Sequence, residues 1–399
     1  MDDDVTSSSD GDRSSDVTFL PLDELRHRRS VKWRTYDDEV LPLWVAEMDV
    51  APAPAIADAL RTAVRRGDTG YVHRGALPER YAAFSADHYG WAPAPSRTSL
   101  VPDVMAGIAA ALRLATAPGD GVVINPPVYP PFREFIGYAG REPVEVPLLR
   151  DGERYTIDLD GLDHAFADGA AAYLLCSPHN PTGSVWTREQ LTAVADLAAR
   201  YEVLVLADEV HAPLTRHGVG HLPFLSLDRP AAQRAVAFVA ASKAWNLPGL
   251  KTALALAGPD ARRSLCEFPQ QVQIQTGLFG VIAAVAAFSE GVSWLSALRT
   301  HLDANHRLLA ELLAAHLPSL HHDTPEATYL AWVDCRHLGL GDDPAASLLA
   351  HSDVALTSGT PFGAGGRGFV RINLGTSAAL ITEAVRRMSR HPQLGENRS

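Results

Sequence analysis

Short apolar runs alternate with stretches of helical spacing through the first two thirds of the chain. Val122-Val123-Ile124, Ala172-Tyr173-Leu174-Leu175-Cys176, Val203-Leu204-Val205-Leu206-Ala207 and Ala235-Val236-Ala237-Phe238-Val239-Ala240 contain no charged side chain. Each is too short for a buried helix and carries β-branched or aromatic residues, so each reads as a strand covered on both faces. Apolar residues recur at helical spacing over 55–66, where Gly67 supplies a stop, and again over 80–89, 104–116 and 187–201. Asp103 precedes the third of these and can cap it. Strand and helix in alternation predict a largely parallel sheet between helical layers.

Beyond Gly258 the pattern turns helical, with long amphipathic stretches over 276–290 and 293–317 parted by Gly291. Strands are then expected at 329–333, 354–356 and 368–374, with helices at 344–351 and 376–391. Near the other end, Leu41-Pro42-Leu43-Trp44-Val45-Ala46-Glu47-Met48-Asp49-Val50 reads as a short buried strand ending in acids. The expected division is an acidic tail at 1–16, a segment at 17–50 packing with the smaller domain, a large domain at 51–290, and a small α+β domain at 291–399. A chain of 399 residues, 46% hydrophobic, has core enough for both.

Composition removes several classes of function. A net charge of -12, with no basic cluster interleaved with aromatics, argues against a nucleic-acid partner. No apolar run is long enough to cross a bilayer, so no membrane partner is expected. The tail, rich in Asp, Ser and Thr, lacks the apolar stretch of a signal peptide and is expected to be disordered. Cys176, Cys266 and Cys335 are few, odd in number and far apart, which fits a reducing, cytoplasmic location and gives no zinc-ligand spacing. No metal is expected; His321-His322-Asp323 reads as solvated surface.

Lysine is rare here: Lys32, Lys243 and Lys251 stand against 32 arginines. An arginine cannot serve as an amine nucleophile, whereas a desolvated lysine can attack a carbonyl. Lys243 leaves the strand at 235–240 at its carboxyl end, where open α/β sheets place their ligands. The preceding strands deliver Tyr129, Asn180, and Asp208 with His211 to the same edge. An amine, a carboxylate, an amide, an imidazole and an aromatic face together suit pyridoxal phosphate: Lys243 condenses with its aldehyde, Asp208 pairs with the ring nitrogen, Asn180 donates to the phenolic oxygen and Tyr129 stacks on the ring. Ser242, Lys251 and the amides of Val104 and Met105 are candidate phosphate partners. Cys176 reads as a small buried side chain, His179 as a loop histidine that can line the pocket, and Trp44, Trp245 and Trp332 as core or pocket wall.

Asn180-Pro181-Thr182-Gly183, Asp208-Glu209-Val210-His211, Ser242-Lys243 and Phe369-Val370-Arg371-Ile372-Asn373 resemble the fold-type-I, or aminotransferase class I/II, pyridoxal-phosphate enzymes. More narrowly, Lys32-Trp33, Leu43-Trp44-Val45-Ala46-Glu47-Met48-Asp49, Cys176-Ser177-Pro178-His179, Thr328-Tyr329-Leu330-Ala331-Trp332-Val333-Asp334 and Gly366-Arg367-Gly368 resemble the MalY/PatB-type cystathionine β-lyases. The resemblance spans about 20–390. It implies a large domain with a mostly parallel seven-stranded sheet between helices plus a smaller α+β domain. It also implies that Arg371 binds the carboxylate of an amino-acid substrate, with Trp44 in the pocket wall, and that Tyr71 reaches the phosphate in a homodimer with shared sites. Aminotransferases commonly carry Tyr at the position of His211, and His there resembles the lyase branch. Ala240 and Lys251 depart from the Ser and Arg that many relatives use on the phosphate, and Asp103 stands where small residues are usual. The implied reaction is α,β-elimination from cystathionine or a related cysteine S-conjugate. Transamination is the alternative, and a partner-binding regulator that retains the fold is a reading of another class.

Overall fold

The computed structural model describes residues 16–152 and 154–395. The acidic tail expected over 1–16 lies, apart from Asp16, outside the described residues. The main sheet has seven strands: β1 (Thr98–Val101), β2 (Gly121–Ile124), β3 (Glu142–Glu145), β4 (Ala172–Cys176), β5 (Leu204–Asp208), β6 (Val236–Val239) and β7 (Ala253–Ala257). Their spatial order is β1-β7-β6-β5-β4-β2-β3, and β7 alone runs antiparallel to its neighbours. β2, β4, β5 and β6 are the strands the sequence pattern expects, whereas β1 and β3 are not anticipated by it. β7 is different: Ala253-Leu254-Ala255-Leu256-Ala257 has no β-branched residue, and its pairing with two buried strands overrides its local helical leaning. β3 carries Pro143, tolerated because this strand lies at the sheet edge.

Eight helices matter to the site and its core: α1 (Pro54–Arg66), α2 (Leu77–Tyr89), α3 (Val104–Ala115), α4 (Pro131–Tyr138), α5 (Arg188–Arg200), α6 (Leu278–Ser289), α7 (Val292–His316) and α8 (Ala378–Met388). Alternate strand residues enter opposite cores, as a period of two requires. Val123, Tyr173, Leu175, Val205, Ala207, Ala237 and Val239 pack with Ile56, Tyr81, Phe84, Leu191 and Val281, from α1, α2, α5 and α6. Val122, Ile124, Leu174, Leu206, Val236 and Phe238 pack with Ile108, Leu112, Phe132 and Ile136, from α3 and α4. Each such fully buried side chain contributes roughly 1.5–3 kcal/mol, so the sheet's two faces fix its strand ends firmly.

α6 and α7 meet at an 80° bend. Gly291 is required there, because a Cβ would sit 2.8 Å from both the Ala287 carbonyl oxygen and the Trp245 indole nitrogen. α7 then leads to a four-stranded sheet of β8 (His321–His322), β9 (Leu330–Asp334), β10 (Thr357–Ser358) and β11 (Phe369–Asn373), ordered β8-β9-β11-β10 and antiparallel throughout. α7 and α8 cover it through Leu309, Leu313, Ile381 and Val385.

The strand expected over 41–50 is a correction. Leu41–Pro42 pairs parallel to Val354–Ala355, and Val50 makes an isolated antiparallel bridge to Phe19. The rest crosses between the two sheets as an irregular strap: the backbone groups of Leu43 and Asp49 meet other backbone, while the carbonyls of Trp44, Val45 and Ala46 are taken by side chains instead of a neighbouring strand. His321-His322-Asp323 is also less exposed than expected: His322 stacks on His306 with ring centroids 5.8 Å apart, and Asp323 pairs with Arg150 at 2.9 Å.

Candidate active site

The carboxyl ends of β4, β5 and β6 converge on the side chain of Arg371 from β11. After β4, the chain turns through Ser177 to Gly183. Gly183 has φ +68°, and a Cβ there would lie 2.2 Å from Pro325, so the turn closes only with glycine. The turn buries Asn180, whose side-chain oxygen accepts from Arg371 Nη1 at 3.1 Å. At the end of β5, Asp208 Oδ1 accepts from the Val210 amide at 3.1 Å. Three residues on, His211 is buried with Nδ1 lacking any partner. Lys243 follows β6 and is half-buried.

The strap of residues 43–50 closes one side of this cluster, and side chains take its successive carbonyls. Trp44 O accepts from Arg371 Nη2 at 3.3 Å and from Thr357 Oγ1 at 2.5 Å. Val45 O and Glu47 O both accept from Asn373 Nδ2 at 2.7 Å. Ala46 O accepts from Lys243 Nζ at 3.1 Å and from the Tyr329 hydroxyl at 3.0 Å. Met48 O accepts from Asn246 Nδ2 at 2.8 Å and from Arg28 Nη1 at 2.8 Å. The strap's acid, Asp49, holds buried Lys32 at 2.8 Å and the Trp33 indole at 3.0 Å. Leaving any one of these buried groups unpaired is expensive, so the strap and the strand ends behave as one constellation.

Sequence reasoning missed Asn246, Tyr329 and Asn373. One signal was present. Asn373 stands two positions after Arg371, hence on the same face of β11.

Burial and neighbouring charge tune the titrating groups. The Lys243 ammonium, desolvated and facing Arg371, falls to about 8 despite the opposing carboxylates of Asp208 and Glu47. Burial raises Asp208 to about 7, offset in part by the Val210 amide and Lys243. His211 drops to about 3 through burial and the nearby Lys243 and Arg371, so its ring is neutral. The arrangement offers an amine close to neutrality, a carboxyl half-ionised near pH 7, and a buried guanidinium whose Nε has no partner. Such perturbed groups in one cluster mark a functional site.

The other expected residues are placed as follows. Tyr129 is half-buried and senses the charges of Arg371 and Asp208. Val104 and Met105 open α3, whose first-turn amides lack intrahelical partners. Asp103 caps that helix, its Oδ1 accepting from Ala106 N at 2.8 Å, while its Oδ2 lies 3.1 Å from Lys251 Nζ. Lys251 is thus engaged by a carboxylate, and Ser242 is half-buried beside Lys243. Trp44 turns its ring edge to Tyr36 at 5.9 Å. Tyr71 is 96% exposed and stands apart from the cluster within one chain. His179 is buried with Nε2 on the Pro127 carbonyl at 2.9 Å, so it serves the loop. Cys176 is buried and accepts from the Asn180 amide at 3.4 Å. Among the described residues no cluster suited to a metal ion occurs, and no single helix is long and apolar enough to cross a membrane.

Unpartnered buried polar atoms on His211 and Arg371, a carboxyl at a strand end and a free amine are the donor set that a phosphorylated pyridine aldehyde and an amino-acid carboxylate would complete. Comparison with known proteins agrees in kind. The family model for aminotransferases of class I and II matches residues 38–388. A Mycobacterium leprae protein named "Putative cystathionine beta-lyase" is 46% identical, over 94% of this chain and 98% of its own. Cystathionine beta-lyase PatB of Bacillus subtilis is 34% identical, over 93% of this chain and 99% of its own. Among solved structures, cystalysin from Treponema denticola, which contains pyridoxal 5'-phosphate, matches with a TM-score of 0.88 at 27% identity, covering 95% of this chain and 98% of that one.

Proposed function

The chain belongs to the aminotransferase class I and II family, and from that footing we propose that it is a carbon-sulfur β-lyase converting L-cystathionine, or a related cysteine S-conjugate, and water to a thiol, pyruvate and ammonia. The observation that carries this reading is the Lys243 amine, brought to about 8 and held in one cluster with the Arg371 guanidinium and the Asp208 carboxyl. The similarity to cystathionine β-lyases and the histidine at 211 favour elimination over amino-group transfer.

Bound pyridoxal phosphate would supply an aldehyde for the substrate amine and a ring that stabilises negative charge at the α-carbon. Asp208 would hold the proton on the ring nitrogen. Its burial makes the carboxylate costly alone, so a cation beside it is favoured. Asn180, its oxygen engaged by Arg371, keeps its amide Nδ2 to donate to the phenolic oxygen. Arg371 would bind the substrate carboxylate in the two-pronged geometry of a guanidinium, releasing the weak 3.3 Å bond to Trp44 O. Lys243 would take the α-proton; a base near the working pH does this best. Tyr129 would cover the ring, and the strap with Trp44 would keep water from the reacting face.

The reading extends to a homodimer in which exposed Tyr71 reaches the partner's phosphate, and to a reducing compartment that suits three free cysteines. The test follows pyruvate and thiol from L-cystathionine together, beside a 2-oxo-acid control. Equal release of both products supports the lyase; amino transfer alone reassigns the chain to the aminotransferases.

A further inference from the structure

Tyr329 immediately precedes β9, buried completely, and no role in binding or proton transfer has yet fallen to it. The residue before it, Thr328, has φ +77°, a conformation that a β-branched side chain avoids. Three hydrogen bonds hold Thr328 there. Its amide donates to Leu214 O at 2.9 Å, its carbonyl accepts from His306 Nε2 at 3.1 Å, and its hydroxyl oxygen accepts from the Leu330 amide at 3.1 Å. The turn directs the Tyr329 phenol away from its own sheet and onto the strap, where it donates to Ala46 O at 3.0 Å. Lys243 Nζ donates to the same oxygen at 3.1 Å.

We infer that Tyr329 is a positioning residue for Lys243: its hydroxyl fixes the carbonyl that docks the free amine and weakens that carbonyl as an acceptor, so that the amine gives up its proton readily. A carbonyl oxygen has two lone pairs, and a donor on one withdraws density from the other. The groups facing Lys243 besides this carbonyl are Arg371, Asp208, Glu47, Lys251 and His211, and those facing Tyr329 are Arg371, Glu47 and Tyr129. None of them is touched by removing the phenolic oxygen alone. The inference rests on Lys243 being the proton-transferring amine and is independent of whether elimination or transamination follows.

The scarcity of lysine makes the test direct. With Lys32, Lys243 and Lys251 labelled at Cε with carbon-13, the full-length cofactor-free chain gives three side-chain resonances, assigned by Lys243→Ala and Lys251→Arg. Tyr329→Phe should raise the Lys243 titration midpoint by about half a pH unit or more, with the Lys32 and Lys251 resonances unmoved as a check on the fold. In the loaded enzyme, exchange of the α-proton of L-alanine with deuterium should slow by roughly tenfold through the looser amine geometry. An unmoved or lowered midpoint with unchanged exchange overturns the role of Tyr329. Absence of exchange in the unsubstituted enzyme would instead overturn the reading of Lys243. Should the Phe variant fail its fold check, 3-fluorotyrosine labelling in a Tyr129→Phe background strengthens the phenol as donor. The Lys243 midpoint must then fall, and an unchanged or higher value overturns the inference.

Discussion

Arg371 Nη1 donates to Asn180 Oδ1 at 3.1 Å, joining the strand of the smaller sheet that would bind substrate to the turn of the larger sheet that would bind cofactor. Both residues are buried, so each relies on the other to satisfy a polar group. Asn180→Ala should therefore impair two functions at once, raising KM for the amino acid and red- or blue-shifting the bound cofactor's absorbance. Arg371→Lys should raise KM by roughly 100-fold, since an ammonium lacks the fork. Steady-state kinetics with absorbance spectra check both; an unchanged spectrum in Asn180→Ala would confine that residue to supporting Arg371.

Asp208 gives a prediction with a definite sign. Its folded-state value, raised to about 7 from an ordinary 3.8, means that between those pH values the folded chain binds more protons than the unfolded one. Asp208's own contribution to the stability of the cofactor-free chain should thus fall as pH rises through that window, by a few kcal/mol on the order of 1.4 per unit, against the opposite contribution of the buried histidines. Asp208→Asn should flatten this fall and unfold at higher urea than the unsubstituted chain at pH 8. At pH 3.5 the two should match. Denaturation of both chains at the two pH values decides it.

Lys251 and Asp103 form an exposed pair at 3.1 Å beside the amides that open α3. A cofactor phosphate would have to share that lysine with a carboxylate. Asp103→Asn keeps a capping oxygen and removes the charge, so cofactor affinity should rise by roughly threefold to tenfold at low salt and less at high salt. Absorbance titration of the cofactor-free chain reads this directly, and an affinity unmoved at low salt would remove Lys251 from the phosphate site.

Four buried histidines oppose acid. His179 and His306 are lowered to about 4, and His211 and His322 to about 3, in each case chiefly by burial. The unfolded chain takes up these protons near 6.5 while the folded chain refuses them, so stability should decline as pH falls from 6.5 toward 4. His322→Leu, which removes one of these proton-refusing rings, should shallow that decline. Urea midpoints at pH 7, 5.5 and 4.5, values chosen around that window, test the slope.

Much of this architecture was legible because it rests on local patterns. Four of the parallel strands announce themselves by β-branched or aromatic apolar runs, and Lys243, Asp208 and Asn180 by the chemistry at their ends; Arg371 enters only through the family resemblance, and the strands Thr98–Val101 and Glu142–Glu145 are not anticipated. What stayed hidden depends on partners distant in sequence. The inverted strand Ala253–Ala257 has helix-forming residues and is a strand only because Val236–Val239 and Thr98–Val101 flank it. The segment after Pro42 has a strand's apolarity, yet its carbonyls are claimed by Asn246, Tyr329, Arg371 and Asn373, residues some 200 to 330 positions away. Nothing in the local sequence encodes those bonds. The pairing of Lys251 with Asp103 was hidden for the same reason.

The central claim is that the cluster is built around one amine. Borohydride reduction of the cofactor-loaded enzyme, followed by proteolysis and mass spectrometry, fixes the cofactor to whichever lysine carries it. The account predicts a pyridoxyl phosphate adduct on Lys243. An adduct on Lys32 or Lys251, or none on any lysine of an enzyme that still turns over L-cystathionine, would contradict it.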